Sequence, residues 1–185
     1  AVIIFSVYIT IAQTPMTASD YFLRGVALFE KGKYIEAIDD ITKGIQLNPQ
    51  VAESYFVRGV AYSKLEKFDL SIADFTKAIQ LNPQNAKYYD NRGIIYHKQS
   101  NDKLAVADFT KAVEVNSQYA GAYYNRGTFY SKQGNYKSAI IDFTKTIELV
   151  PQFTEAYLNR GSAYAEQGNY NLAINDFNKA IELNS

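Results

Sequence analysis

The sequence predicts an all-α protein, an α-solenoid in which antiparallel helix pairs stack one upon another. From Ala18 onward the chain matches itself at a spacing of 34 residues, a period that is typical of helical repeat proteins. Within each period apolar residues recur every three or four positions, as they do along one face of a helix. Every arginine precedes a glycine, and these arginines are one period apart: Arg24, Arg58, Arg92, Arg126 and Arg160.

The composition indicates a soluble folded protein and excludes several classes of function. Of the 185 residues 47% are hydrophobic and 21% are charged, which is ordinary for a chain that buries a core. Nineteen basic side chains balance nineteen acidic ones, so no strong field attracts nucleic acid or an anionic membrane surface. Because the chain has no cysteine, disulfides and thiolate chemistry are excluded, and redox chemistry indicates no compartment.

Residues 1–17 form an apolar N-terminal segment with two open interpretations. The first twelve residues, AVIIFSVYITIA, carry no charge and look like the apolar part of a signal peptide or the end of a membrane anchor. Neither an initiator methionine nor a basic region precedes them, so we interpret the sequence as a piece of a longer chain. Alternatively, the segment caps the first helix pair. The first interpretation predicts export or a membrane tether, and we favour it over a cytoplasmic location.

The first half of each unit predicts a helix, here called the A helix. Position 4 of the unit is always tyrosine, position 8 is always glycine, and position 11 is tyrosine in four units of five. These positions are three and four residues apart, so we expect them to form one buried stripe. The five units of the repeat domain 18–185 are 18–51, 52–85, 86–119, 120–153 and 154–185.

The second half of each unit predicts another helix, the B helix. Position 20 is alanine or serine, position 24 is isoleucine or phenylalanine, and positions 21 and 28 are aliphatic. Proline disfavours helix in the residue before it, so three of the four Xaa-Pro pairs are predicted to end B helices. These pairs are Asn48-Pro49, Asn82-Pro83 and Val150-Pro151. The short turn between A and B holds Gly32, Glu66, Ser100, Gly134 and Gly168.

These signature positions resemble the tetratricopeptide repeat family over residues 18–185. The sequence departs from the family pattern with tyrosine for tryptophan at position 4 and arginine for leucine at position 7. The resemblance implies a right-handed superhelix whose A helices line a concave groove for a partner protein or peptide. The chaperone-binding branch grips a terminal carboxylate with lysine, asparagine and arginine over three repeats, but the first corresponding places here hold Phe22, Val26, Val57, Lys87 and Asn91. We therefore exclude that clamp.

The repeated arginine at position 7 is predicted to pair with an aspartate at position 23. Both positions border the buried faces of their helices, and both are invariant among the five units. A guanidinium matches a carboxylate with two parallel hydrogen bonds, so we predict a ladder of bidentate pairs within or between repeats. The glycine at position 8 would let the position 20 residue touch the A helix backbone. The aspartates are Asp40, Asp74, Asp108, Asp142 and Asp176.

The A helix face opposite the core is the candidate binding surface. Position 6 is asparagine in the last three units, and a row of carboxamides can hydrogen-bond an extended peptide backbone. Apolar residues dominate the N-terminal half of this face and lysines border its middle, which suits a ligand with a hydrophobic anchor and a neutral or acidic continuation. The alternative, that asparagine only tolerates a solvated face, stays open. The predicted groove residues are Phe22, Phe56, Asp90, Asn91, Lys98, Tyr124, Asn125, Lys132 and Asn159.

Nothing in the sequence indicates an enzyme, a cofactor or a metal site. His97 is the only histidine and has neither cysteine nor a second histidine for metal ligation, and the glycines stand singly, unlike a phosphate-binding loop. We therefore predict a scaffold or adaptor that binds a protein or peptide and no nucleic acid. The rival hypothesis is a structural module that forms homo-oligomers through its repeat ends, or through its N-terminal segment in a neighbour's groove.

Overall fold

The computed structural model describes residues 15–184, which form ten α-helices and no strand. Each unit contributes one A helix of 13 residues and one B helix of 14 residues. The A helices are α1 (Ala18–Glu30), α3 (Ala52–Lys64), α5 (Ala86–Lys98), α7 (Ala120–Lys132) and α9 (Thr154–Glu166). The B helices are α2 (Tyr34–Leu47), α4 (Phe68–Leu81), α6 (Asp102–Val115), α8 (Tyr136–Leu149) and α10 (Tyr170–Leu183).

The turn between A and B helices has the same hydrogen bonds in all five units. After α1, the Gly32 N–H donates to the Phe29 carbonyl and the Lys33 N–H donates to the Leu28 carbonyl, which is the Schellman pattern. This turn requires a left-handed backbone, and Gly32 has a φ of 74°. Glu66 and Ser100 adopt φ values of 57° and 59° at the same place, so two units form the turn without glycine.

The buried face of the A helices is wider than the predicted stripe. Positions 3 and 10 are buried in most units, as at Tyr88 and Phe129, whereas the position 11 tyrosines are only half-buried. The prediction of a 4, 8, 11 stripe was therefore incomplete. An inner A helix packs against its own B helix, the preceding B helix and neighbouring A helices, so more than one stripe loses contact with water.

The helix pairs stack in chain order into an all-α solenoid. Cα atoms of successive A helices approach within 8 Å of one another, whereas within residues 15–184 those of no two B helices do. The A side is therefore the inner, tighter side of the curve. None of the helices in this described part has the length and hydrophobicity needed to cross a bilayer. The predicted signal, anchor or cap in residues 1–17 falls mostly on residues 1–14, which lie outside the described residues.

Candidate functional site

Each predicted arginine and aspartate lie 16 residues apart in one repeat and form a bidentate pair. In the third repeat, Arg92 Nε and Nη2 donate to the two carboxylate oxygens of Asp108 at 2.8 Å each. The Arg92 and Asp108 side chains are 17% and 9% exposed. The same two bonds join the other four pairs, Arg24 with Asp40, Arg58 with Asp74, Arg126 with Asp142 and Arg160 with Asp176.

A threonine of the preceding B helix is a third partner that the sequence interpretation missed. Arg92 Nη1 donates to Thr76 Oγ1 at 2.9 Å, so one guanidinium joins its own A and B helices to the preceding repeat. The same bond links Arg58 to Thr42, Arg126 to Thr110 and Arg160 to Thr144. These threonines recur at position 25, so their spacing of 34 residues is the signal that could have revealed them.

The glycine at position 8 lies against the side chain at position 24. A Cβ placed on Gly127 would lie 2.9 Å from Cε1 of Phe143, closer than real Cβ atoms approach other groups. The prediction that position 20 fills this space was only partly right. The Ala105 carbonyl oxygen would lie 3.2 Å from a Cβ on Gly93, and Ser71 Oγ donates to the Gly59 carbonyl at 2.8 Å. The ring at position 24 is nearer and sets the approach.

Hydrogen bonds 35 residues apart join consecutive A helices along the inner side. Tyr88 donates to Glu53 Oε2 at 2.9 Å, and Lys132 Nζ lies 3.1 Å from His97 Nε2. Two further bonds of this spacing involve the predicted carboxamides. One repeat plus one position separates the partners of each bond. Periodicity at 34 residues conceals these pairs, since partners occupy different positions of the repeat.

The three predicted carboxamides lie on the A helices and are partly exposed. Asn125 Nδ2 donates to Asp90 Oδ1 at 2.8 Å, and Asn159 Nδ2 donates to the Tyr124 hydroxyl at 3.1 Å. Asn91 Nδ2 instead donates to the Lys87 carbonyl of its own helix. Each carboxamide thus donates one N–H within the protein, and among residues 15–184 no group donates to its oxygen.

Asp90 was predicted to line the groove, and this prediction is wrong. Its side chain is buried, with 3% of the residue exposed, and it accepts hydrogen bonds from Tyr119 and Asn125. Burial raises the pKa of Asp90 above its ordinary value, although these two hydrogen bonds act in the opposite direction. Burial and the neighbouring carboxylate also raise the pKa of Tyr119, which keeps its hydroxyl a donor. Asp90 therefore holds Asn125 in place instead of meeting a ligand.

Replacing Asp90 by asparagine is expected to raise the free energy of unfolding at pH 7 by on the order of 1 kcal/mol. The amide removes the buried charge, keeps an acceptor for Asn125 and places an NH2 donor against the Tyr119 hydroxyl, which can accept from it. Because the native pKa of Asp90 is raised, the folded state binds the proton more readily than the unfolded state. The free energy of unfolding of the wild type therefore rises as pH falls through the native pKa of Asp90 and this carboxyl becomes protonated. The difference in stability between Asp90→Asn and wild type then disappears.

Urea unfolding from pH 7 down to pH 4, read by circular dichroism, measures this difference. Asp39→Asn is the matched control, because Asp39 is exposed on α2. A variant that is less stable than wild type throughout this range would show that the hydrogen bonds to the carboxylate outweigh its desolvation.

The N-terminal pocket lies between α1, α3 and α5 and has an apolar lining. It has a volume of about 370 Å³ and brings the predicted residues Phe56 and Asn91 together. Phe56 packs against Tyr88 with a ring-centroid distance of 5.0 Å. Phe22 lies outside this pocket and lines a separate depression together with Gly44 of α2 and Ser54 in the first turn of α3. The pocket is lined by Val26, Phe29, Glu30, Phe56, Val57, Val60 and Asn91.

The central pocket lies between α5, α6 and α7 and gathers four of the predicted groove residues. Its volume is about 250 Å³. Lys98 and Lys132 are exposed at its rim, while Tyr124 and Asn125 are half-buried. Its full lining is Ile94, His97, Lys98, Phe109, Tyr124, Asn125, Thr128, Phe129 and Lys132.

The described helices bring together no set of side chains suited to catalysis or to metal binding. Residues 15–184 contain no group of three or more His, Asp or Glu side chains placed to hold a metal ion. His97 Nδ1 lies 2.9 Å from Asp102 Oδ1, and no serine hydroxyl contacts its Nε2 atom. What the inner side offers is hydrogen-bonding groups and apolar pockets.

Comparison with protein families and solved structures places the chain among repeat proteins. Family models described as tetratricopeptide repeat match residues 18–51, 52–85, 86–119, 120–153 and 154–185. A crystal structure of MamA protein is 28% identical, with a TM-score of 0.79 over 90% of this chain and 91% of that chain. No curated protein matches in a sequence search.

Two further solved structures are similar. A crystal structure of YrrB, described as a TPR protein with an unusual peptide-binding site, is 25% identical, with a TM-score of 0.71. That alignment covers 90% of this chain and 86% of YrrB. MamA from Desulfovibrio magneticus RS-1 is 20% identical over 93% of this chain and 97% of that one, a likeness of fold with a TM-score of 0.80.

Proposed function

We propose that this chain, which belongs to the tetratricopeptide repeat family, is an interaction scaffold that binds an extended segment of a partner protein along its inner side. The observation that carries the proposal is the anchoring of Asn125 and Asn159 to the preceding repeat. A carboxamide fixed through one N–H presents its oxygen in a set direction, which suits an acceptor for peptide N–H groups. The peptide-binding site named for YrrB supports the same class of ligand.

The pockets supply the apolar contacts that such binding needs. Hydrogen bonds exchanged with water contribute roughly 0.5 to 1.5 kcal/mol each, so three carboxamides alone would bind weakly. Phe56 and its neighbours in the N-terminal pocket can cover one apolar side chain, and the central pocket can cover another. We expect transient, micromolar binding. Catalysis is assigned to a partner, since the matched family is a repeat family.

Alanine at Asn91, Asn125 and Asn159 together is expected to weaken peptide binding at least roughly tenfold. The probe is a fluorescent dodecapeptide selected on the wild-type chain from a random display library, with affinity measured by anisotropy. Asn175→Ala is the matched control, because Asn175 is exposed on α10 away from the A helices. Equal affinities for the wild type and the triple variant would contradict the role of the carboxamides.

Self-assembly through repeat ends is a second candidate function, and the first repeat favours it. Arg24 is 50% exposed, whereas the other four arginines are 15% to 17% exposed. Within the described residues no side chain accepts from its Nη1 atom. At the other end of the stack, Asn178 is exposed at position 25, the position whose threonines accept from arginine in the other units. The side-chain oxygen of Asn178 in a second copy could therefore accept from Arg24. Light scattering of wild type and Arg24→Glu over a range of concentrations separates this function from peptide binding.

A further inference from the structure

The central pocket is the right size for one large side chain of a bound segment. Its volume of about 250 Å³ lies below the range of roughly 300 to 1,000 Å³ that small-molecule sites occupy. Ile94, Phe109 and Phe129 supply apolar walls, and Tyr124 closes one side. An aliphatic or aromatic side chain of a peptide fits this shape and chemistry.

The rim of the central pocket carries two lysines without acidic partners. Lys98 Nζ lies over the Phe68 ring, 5.6 Å from its centroid, and Lys132 Nζ contacts the ring nitrogen of His97. Across residues 15–184 no carboxylate lies within 4.0 Å of either ammonium. Of the other twelve lysines, four each pair with a glutamate three residues further on: Lys33, Lys111, Lys145 and Lys179.

His97 holds Lys132 at the rim. An ammonium group has no acceptor, so the 3.1 Å contact requires His97 Nε2 to accept from Lys132. The imidazole proton is then on Nδ1, which donates to Asp102 Oδ1 at 2.9 Å. The ring also packs edge-on against Phe129, with centroids 5.9 Å apart. Asp102 is thus occupied on the far side of the ring, and the positive charge of Lys132 stays next to the pocket.

One wall of the pocket contains a polar atom that lacks a partner. Thr128 Oγ1 is buried and has no hydrogen bond to the described residues. A helical threonine often donates to the carbonyl four residues earlier, and here it does not. An apolar side chain in the pocket leaves this buried hydroxyl unsatisfied, so the selectivity of the pocket comes from its apolar walls and its lysines.

We propose that the central pocket selects a segment in which a large apolar side chain stands within two residues of an aspartate or glutamate. This inference rests on the proposed peptide-binding function and adds the chemistry of the bound segment. The apolar side chain fills the pocket, and the carboxylate pairs with Lys98 and Lys132. The chain's own apolar residues 1–12 do not fit this description, because they contain no acidic residue to pair with the lysines.

Selection of dodecapeptides from a random display library on full-length variants tests the proposal. We expect wild type and Lys137→Glu to select the same pattern, a large apolar residue within two positions of an acidic one. Lys137 is the control because it is exposed on α8. Lys132→Glu is expected to select lysine or arginine in place of the acidic residue. In the selected peptide, changing the acid to its amide should weaken binding about three- to tenfold.

A second variant tests the pocket itself. Thr128→Trp should fill the cavity and weaken the selected peptide at least tenfold, with circular dichroism showing that the helices are kept. If wild type and Lys132→Glu select one consensus, or if Thr128→Trp binds as wild type does, the proposal is wrong. Loss of binding in the triple asparagine variant would then still support peptide binding along the inner side, without the selectivity proposed for the central pocket. If no variant selects any peptide, the proposed function fails together with this inference.

Discussion

Replacing Arg92 by alanine is expected to lower the free energy of unfolding by about 3 to 5 kcal/mol. The substitution leaves the Asp108 carboxylate, which is 9% exposed, without the two hydrogen bonds that compensate for its burial. It also removes the bond to Thr76 and the packing of the guanidinium on the Tyr96 ring. One side chain therefore serves three helices, and its loss loosens the joint between the second and third repeats.

Chemical denaturation of Arg92→Ala, Arg92→Lys and Arg24→Ala separates these contributions. Lysine keeps the charge but lacks the planar fork, so we expect Arg92→Lys to lose a large part of the stability that alanine loses. Arg24 makes the same bidentate pair, and its partner Asp40 is 7% exposed, but Arg24 itself is half-exposed and lacks the threonine, so Arg24→Ala should lose less stability than Arg92→Ala. Equal losses for Arg92→Ala and Arg24→Ala would show that burial of the arginine and its bond to threonine contribute little.

The arginine pairs show how far repetition in a sequence predicts contacts. Invariance at positions 7 and 23 indicated that the two side chains border faces that pack together, and the structure joins them within each repeat. Helical periodicity gives the face on which a residue lies, but it does not give the offset between neighbouring helices. The bond from Arg92 to Thr76 depends on that offset, so the sequence interpretation missed it.

The inner side shows more clearly that the repeat pattern predicts some contacts and misses others. The sequence interpretation brought Lys98, Tyr124, Asn125 and Lys132 to one surface, and these side chains line one pocket. It failed for Asp90, which occupies the same repeat position as Phe56 and Tyr124. Tyr119, from the loop before α7, covers that carboxylate, and tyrosine at its repeat position occurs in no other unit. A contact made by a residue that does not repeat cannot be predicted from the repeat.

Replacing Phe143 by alanine is expected to lower the free energy of unfolding by about 3 to 5 kcal/mol. The ring is fully buried and lies against the backbone of α7 at Gly127, where no side chain intervenes. It also contacts the Tyr124 ring, with centroids 6.0 Å apart. The cavity left by the ring would therefore adjoin Tyr124, a predicted groove residue, so under the proposed function peptide affinity should fall along with stability.

The glycine and the ring should behave as one packing unit in a double-mutant cycle. Gly127→Ala alone should lower the free energy of unfolding by about 1 to 3 kcal/mol, because its Cβ would lie 2.9 Å from the Phe143 ring. In the Phe143→Ala background that contact is gone, and alanine is the better helix former by about 1 kcal/mol. The cost of Gly127→Ala should therefore shrink by at least about 1 kcal/mol in that background. Additive losses, measured by urea unfolding of the four proteins, would mean that the glycine is required by something other than the ring.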